Sequence, residues 1–490
     1  MKAYKIISGA LLTLATVGLF SCTKDFKETN TNPNTLPAVR PESLLESAIY
    51  GVVQANQTRA LRITHELMQV HVTTINSDEI HRYIIRPSES DYMWRNWYLP
   101  LTDFRDMYEK AEILRPNQAY YASYMGMARI METWVFSLLT DTYGDVPYSE
   151  ALKGKDENIY QPKFDSQKSI YDSLFVRLEE ANDLLALNLA LPEQLKPRDP
   201  LFGGDIAKWR KFGNSLYLRL LLRVSKKAEM NAPAKIREML ETNTAKYPVM
   251  TNNAESAVLR FTTTPPFVSA FNTYRDYDFN GDNGLSQFFI NTLNLWEDPR
   301  RTKWATTVGV SNYEGIPSGY APGNQPERLS AYLAALKNEP LLGNILNYPE
   351  VQFMVAEAAL EGYFSGNPKT YYENGVQNAI TLWGLTVPTG HLAKPGVVWV
   401  DAETKEQKLE KIITQKYFTF FFTDFQAWFE HRRTGYPVLP KGPGLQNNGE
   451  MPARLKYPVL VQSLNRSNYE AAVAAMGGDD INVKVWWQKN

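Results

Sequence analysis

Asp141-Thr142-Tyr143-Gly144-Asp145-Val146-Pro147-Tyr148-Ser149-Glu150-Ala151-Leu152 marks the point where a helical pattern is stopped by a turn. Before it, apolar residues recur at three- and four-residue spacing, which predicts a helix over 119–139. Gly144 and Pro147 then set a tight loop, and Asp145 stands where it can accept backbone N–H bonds inside that loop. A helix with one apolar stripe has to bury it against neighbours, so the flanking segments decide the fold.

Working outward, the same spacing predicts a first helix pair over 43–55 and 61–73, then helices over 94–114, 166–189 and 206–228, with Asp165 and Asp205 as N-caps of the last two. Consecutive helices joined by short loops form an α-solenoid-like stack, each pair burying its face only against the next. The fold class is therefore mainly α, and any tetratricopeptide-like character is geometric, because no repeat consensus is spelled out. From 249 to 346 the composition shifts to Thr, Pro, Asn, Gly and aromatics, with one helix over 286–296. Helices resume over 348–362, 369–382 and 404–429, before an aromatic, proline-spaced tail. In the last helix, Phe418, Phe421, Phe422, Phe425, Trp428 and Phe429 share one face and read as core. No linker composition divides the chain, so 42–490 reads as one domain: a helical scaffold (42–248 and 347–433), a loop-rich insert (249–346) and a tail (434–490).

The N-terminus reads as an export signal over 1–21, with Lys2 and Lys5 ahead of an apolar run too short for a comfortable bilayer crossing. Leu19-Phe20-Ser21-Cys22 resembles a bacterial lipobox, in which the cysteine is acylated and becomes the first mature residue. Cys22 is the single cysteine of the 490 residues, so it forms no intramolecular disulfide. Several acyl chains, each methylene contributing about 0.8 kcal/mol, hold a protein to a membrane without a spanning helix. Residues 22–41, rich in Thr, Asn and Pro, read as a flexible tether, and Lys24-Asp25 resembles the surface-export signal of Bacteroidetes lipoproteins. A formal net charge of −1 excludes a nucleic-acid surface, which needs a basic excess to displace counterions.

The stretch 141–152 resembles the signature of SusD/RagB-like nutrient-binding outer-membrane lipoproteins. Glu297-Asp298-Pro299-Arg300, Tyr348-Pro349-Glu350-Val351-Gln352-Phe353-Met354-Val355-Ala356-Glu357-Ala358, Gln426-Ala427-Trp428-Phe429-Glu430-His431-Arg432-Arg433-Thr434-Gly435-Tyr436-Pro437, Met451-Pro452-Ala453-Arg454-Leu455-Lys456-Tyr457-Pro458 and Val485-Trp486-Trp487 resemble further elements of that family in its order. The resemblance implies tetratricopeptide-like helix pairs with an irregular ligand-facing part. It also implies anchoring to the outer membrane through the N-terminal lipid, facing the cell exterior, and a SusC-like TonB-dependent β-barrel transporter over which the protein sits as a hinged lid. The expected role is capture of a glycan or oligosaccharide, with an oligopeptide as the alternative ligand and a surface hydrolase as a more distant one. A subunit that only gates the barrel is a further rival. The family supplies no ligand motif, because its binding residues vary with the nutrient.

Candidate chemistry is sparse. His65-Glu66-Leu67-Met68-Gln69 is one residue short of the H-E-x-x-H zinc pattern, with Gln69 in the second histidine's place; His71 and His81 fall elsewhere, and the three read as partly solvated histidines. No nucleophile elbow, phosphate loop or dinucleotide fingerprint occurs, so no enzyme and no cofactor is expected. Asp276-Tyr277-Asp278-Phe279-Asn280-Gly281 follows the opening of a calcium loop, with Asp276, Asp278 and Asn280 as the oxygen donors but Gln287 in place of the closing glutamate. The insert is also the expected ligand face. Tyr274, Tyr277, Trp304, Tyr313 and Tyr320, with Phe267 and Phe271, offer rings for stacking, and Arg275, Asp276 and Asn283 offer hydrogen bonds. A second candidate surface is the 83–92 loop with Trp94 and Trp97, although those two tryptophans read as the start of a core helix.

Overall fold

The computed structural model describes residues 39–75 and 80–489. The expected signal segment 1–21, the lipidation site Cys22 and nearly all of the tether 22–41 lie outside the described residues.

Helix α1 (Pro41–Arg59) runs without a break through a π-helical turn at Ala60–Thr64 into His65–Leu67. The pair expected over 43–55 and 61–73 is thus a single helix. Asn56-Gln57-Thr58 contains no breaker, and the π turn absorbs the register shift that looked like a gap. Its last expected residues instead form strand β1 (His71–Thr73).

Helices α2 (Pro87–Leu114), α3 (Tyr121–Tyr143), α4 (Gln167–Ala186) and α5 (Ile206–Arg223) follow. Ends meet starts along the series. Arg59 at the end of α1 pairs with Glu89 at the start of α2 at 2.8 Å, and the Tyr143 hydroxyl at the end of α3 donates to Ser90 O at 2.7 Å. Ser123 at the start of α3 donates to Leu189 O just past α4 at 2.7 Å, and Arg210 early in α5 donates to Asn182 late in α4 at 2.9 Å. Successive neighbours therefore run antiparallel, as the solenoid reading requires.

The opening stretch joins this series to the tail. Helix α3 extends to Tyr143, past the expected end at 139, because the polar residues Thr140, Asp141 and Thr142 are themselves buried. Gly144 ends it at φ +86°, and a Cβ there would lie 2.6 Å from the sulfur of Met476. Asp145 accepts the N–H of Gln167 at 2.8 Å, as expected of a loop acceptor. Asp205 caps α5 as expected, but α4 is capped by Ser166 rather than Asp165. Asp165 instead accepts the N–H groups of Tyr148 and Ser149 at 3.1 and 2.7 Å, which holds the loop closed.

Strands β2 (Ala257–Val258), β3 (Asn283–Leu285) and β4 (Asn344–Leu346) make two small antiparallel ribbons, β1 with β3 and β2 with β4. Helix α6 (Gln287–Leu295) lies within the insert. The scaffold resumes with α7 (Tyr348–Leu360), α8 (Pro368–Thr381), α9 (Lys405–Thr419) and α10 (Gln426–Thr434), and the tail adds a helix of its own, α11 (Arg466–Met476). The single helix expected over 404–429 is two. Phe422 and Asp424 adopt φ of 60° and 29° between them, and Asp424 accepts the N–H groups of Phe425 and Gln426 at 2.5 and 3.0 Å. The six aromatics from Phe418 to Phe429 are all buried, so their core role stands, but they reach the core from both sides of a bend rather than from one helix face.

Candidate functional site

A cleft of about 170 Å³ opens where the C-terminal end of the α1 rod meets the insert. The rod contributes Thr58, Arg59, Arg62 and Glu66, strand β1 contributes His71 and Thr73, and the insert contributes Tyr274, Asp278 and Asn283. The π turn places Arg62 and Glu66 toward the same opening as Arg59, and the ladder of β1 on β3, with His71 opposite Leu285 and Thr73 opposite Asn283, fixes the insert against the rod. The volume is below the roughly 300–1,000 Å³ of a drug-sized site and suits one unit of a longer ligand.

The walls carry charge that is already arranged. Arg59 and Arg62 share Glu89 at 2.8 and 3.2 Å, and the Arg59 guanidinium lies 3.9 Å from the centroid of the Tyr92 ring. Asp278 takes two hydrogen bonds from Arg275 at 2.7 and 2.6 Å, which hold its carboxyl below the usual carboxylate range. Tyr274 stands edge-on to the buried Phe271 ring at 5.5 Å and is about one-third exposed.

Of the expected ligand contacts, Tyr274 and Asn283 line this cleft; so does Asp278 from the calcium set. Arg275, which precedes the short helix Asp276–Asn280, and Tyr277 within it project to solvent, and Asp276 pairs with Lys337 at 2.6 Å. Two expectations are corrected. Trp304 is completely buried, stacked on Phe421 at 4.4 Å, because the insert builds aromatic core of its own. Tyr320 is buried with Val72 and Ile316, its hydroxyl donating to Thr73 O at 2.9 Å. Tyr313 lies outside this cleft but is only half-buried, with the Arg301 guanidinium 5.2 Å from its ring centroid, so its expectation is left open. In the second candidate surface Trp97 is buried in α2 and donates to Asn56 at 2.7 Å.

The calcium pattern is also corrected. Asp276–Asn280 is helical, which turns alternate side chains away from one another, and its oxygens are committed elsewhere: Asp276 to Lys337, Asp278 to Arg275. The Asn280 amide donates to Tyr332 O at 2.7 Å. Among the described residues no cluster of His, Cys, Asp and Glu is placed to hold a metal ion.

The contribution of the rod and β1 went unread in the sequence. His65, His71 and His81 are buried, not partly solvated as expected, and His71 sits on a strand. The near miss to a zinc motif was the only signal, and it pointed to different chemistry.

Burial, reinforced by the neighbouring His71, holds the pKa of His65 well below its usual 6.5. Unfolded, His65 returns to about 6.5, so below that pH the unfolded chain binds a proton that the folded one refuses. This contribution to stability is complete above the unfolded value and is lost as the pH falls toward the folded one, by up to about 1.4 kcal/mol per pH unit. Denaturant midpoints measured at about pH 7 and about pH 5 should show that slope, and His65→Gln should flatten it. An unchanged slope in the variant would place the acid sensitivity elsewhere.

A SusD-like family described as "Starch-binding associating with outer membrane" matches residues 33–458. Among solved structures, a chitin-binding SusD homolog from Flavobacterium johnsoniae is 21% identical with a TM-score of 0.79, over 92% of this chain and 99% of that one. A SusD homolog from Bacteroides fragilis NCTC 9343 is 23% identical with a TM-score of 0.76, over 92% and 100%. A chitin-binding protein is 26% identical with a TM-score of 0.77, over 92% and 100%. No curated protein sequence matches the chain.

Proposed function

The chain belongs to the SusD-like family of nutrient-binding outer-membrane proteins, and from that premise we propose that it captures a glycan in the cleft between the α1 rod and the insert and passes it to a SusC-like TonB-dependent barrel. The cleft carries the reading: an exposed tyrosine ring beside fixed carboxyl, amide and guanidinium groups is the combination that stacks on a sugar face and bonds its hydroxyls. The starch in the family description and the chitin bound by two structural neighbours point to the same ligand class. The chemistry is binding, not turnover.

Direct binding on an array of maltooligosaccharides, chitooligosaccharides and mixed peptides tests the ligand class. Retention of peptides alone would replace the glycan reading with the oligopeptide one. Recovery of a β-barrel partner from detergent-solubilised outer membranes tests the lid role, and its absence would remove it.

Among the described residues no helix is long and apolar enough to cross a membrane, and the proposed anchor is an acylated Cys22. Cys22→Ala is expected to release the protein from the membrane and abolish uptake while leaving glycan affinity in detergent unchanged. Fractionation and calorimetry on the same preparation check both halves, and a fall in affinity would refute the separation of anchor from site.

A further inference from the structure

A second cavity, of about 450 Å³, opens on the helical scaffold and shares no lining residue with the cleft. Helix periodicity builds it. Tyr348 and Gln352 stand four residues apart on α7, and Tyr371 and Asn374 three apart on α8, so each helix turns one face to the opening. Lys211 on α5 and the π-helical turn Glu238–Thr242 close the other side. Gln352 is 8% exposed, and among the described residues its side-chain amide makes no hydrogen bond. Buried amides rarely go without a protein partner. Asn347, at the start of the same helix, donates to Thr419 O at 3.0 Å. Among the described residues that line the cavity Lys211 alone is charged, and its ammonium is held by Glu255 at 2.6 Å and Thr251 at 3.3 Å.

Neutral hydrogen-bonding groups set in an apolar wall take an uncharged ligand, and the volume falls within the roughly 300–1,000 Å³ of small-molecule sites. The oxygen and nitrogen of the Gln352 amide stand side by side on one carbon, the first accepting and the second donating. Two adjacent hydroxyls meet both at once, one giving its proton to the oxygen and the other accepting from the nitrogen. A carboxylate only accepts, an ammonium only donates, and a trans peptide bond turns its N–H and C=O to opposite sides. Tyr371 is partly buried and leans on Phe364 with ring centroids 5.9 Å apart, which braces an aromatic ring for the C–H face of a sugar. We propose that this cavity is a second binding site, for a neutral sugar carrying adjacent hydroxyls, and that it works independently of the cleft between rod and insert. Gln352 is the residue that selects the ligand, and Tyr371 the ring that supports it.

Photolabelling of the full-length protein, in micelles of a detergent without a sugar headgroup, tests this on the wild-type chain. Maltotriose carrying a diazirine at its reducing end is expected to label peptides covering 348–355 and 371–374. Excess free maltotriose should suppress that label, and end-blocked trialanine should not. Tyr274→Ala, which weakens the cleft, should leave it unchanged. Gln352→Met keeps the length and apolar packing of the side chain but removes both hydrogen bonds. The maltotriose needed to suppress half the label should then rise about tenfold or more, with the thermal midpoint unchanged or higher. No label in these peptides, suppression by trialanine, or loss of label in Tyr274→Ala would overturn the inference, and the first two need no variant to fold. A lower midpoint with unchanged affinity in Gln352→Met would assign the amide to the fold and overturn it as well. Label in these peptides with none on the cleft segment 271–283 would defeat the cleft as the capture site and leave this one standing.

Discussion

Arg219→Met is expected to lower the unfolding free energy by about 3–5 kcal/mol. Arg219 on α5 is almost fully buried and binds both oxygens of Glu350 on α7 at 2.7 Å, with a third bond to Ile345 O at 2.8 Å. Burial opposes its charge, and Glu350 more than offsets that, leaving its pKa raised. The pair bolts the first run of helices to the second across the whole insert. Removing the guanidinium strands a carboxyl with no exposed surface, which is why one partner's loss costs more than the pair contributes. The double variant Arg219→Met, Glu350→Leu should therefore recover much of the loss, and guanidinium denaturation of the four-member cycle measures the coupling. A loss below about 1 kcal/mol in the single variant would mean that the two helix runs are held by apolar packing alone.

That bolt was illegible beforehand, and the reason is general to this chain. Periodicity locates helices because it is local: α3 to α5 and α7 to α8 fall close to where the three-and-four spacing puts them, whereas α2 begins at Pro87 rather than 94 and turns the second half of the expected 83–92 loop into helix. Glu350 looks the same in sequence whether it serves the N-terminus of its own helix or a partner far along the chain. The same limit governs the cleft. Tyr274 and Asn283 were found because loop aromatics and amides are reasonable ligand contacts, while Glu66 and His71 come from a rod and a strand more than 200 positions away and show no local sign of facing them. Local pattern also misled where burial overrode it. Asp276 to Asn280 have calcium-loop spacing but a helical backbone, and the run from Phe418 to Phe429 has helical spacing across a turn.

Trp304→Ala and Tyr274→Ala should separate the insert's two roles by failing in opposite ways. Trp304 has no exposed surface and sits among Phe421 at 4.4 Å, Trp383 at 5.1 Å and Phe289 at 5.9 Å. Truncating it leaves a cavity that these rings cannot close, and stability is expected to fall by about 3–5 kcal/mol. Ligand affinity, measured by calorimetry well below the unfolding transition, should hold, because the side chain does not reach the cleft. Tyr274 is about one-third exposed and rests on Phe271 by one edge, so its removal should cost about 1 kcal/mol of stability or less. Glycan affinity should drop roughly five- to tenfold with the loss of the stacking ring. If Trp304→Ala instead lost binding at full stability, the ligand would have to enter the aromatic core of the insert, and the cleft between rod and insert would be the wrong site. The two aromatics differ by thirty positions in one loop-rich segment and by nothing in sequence character; burial alone assigns one to the scaffold and the other to the ligand.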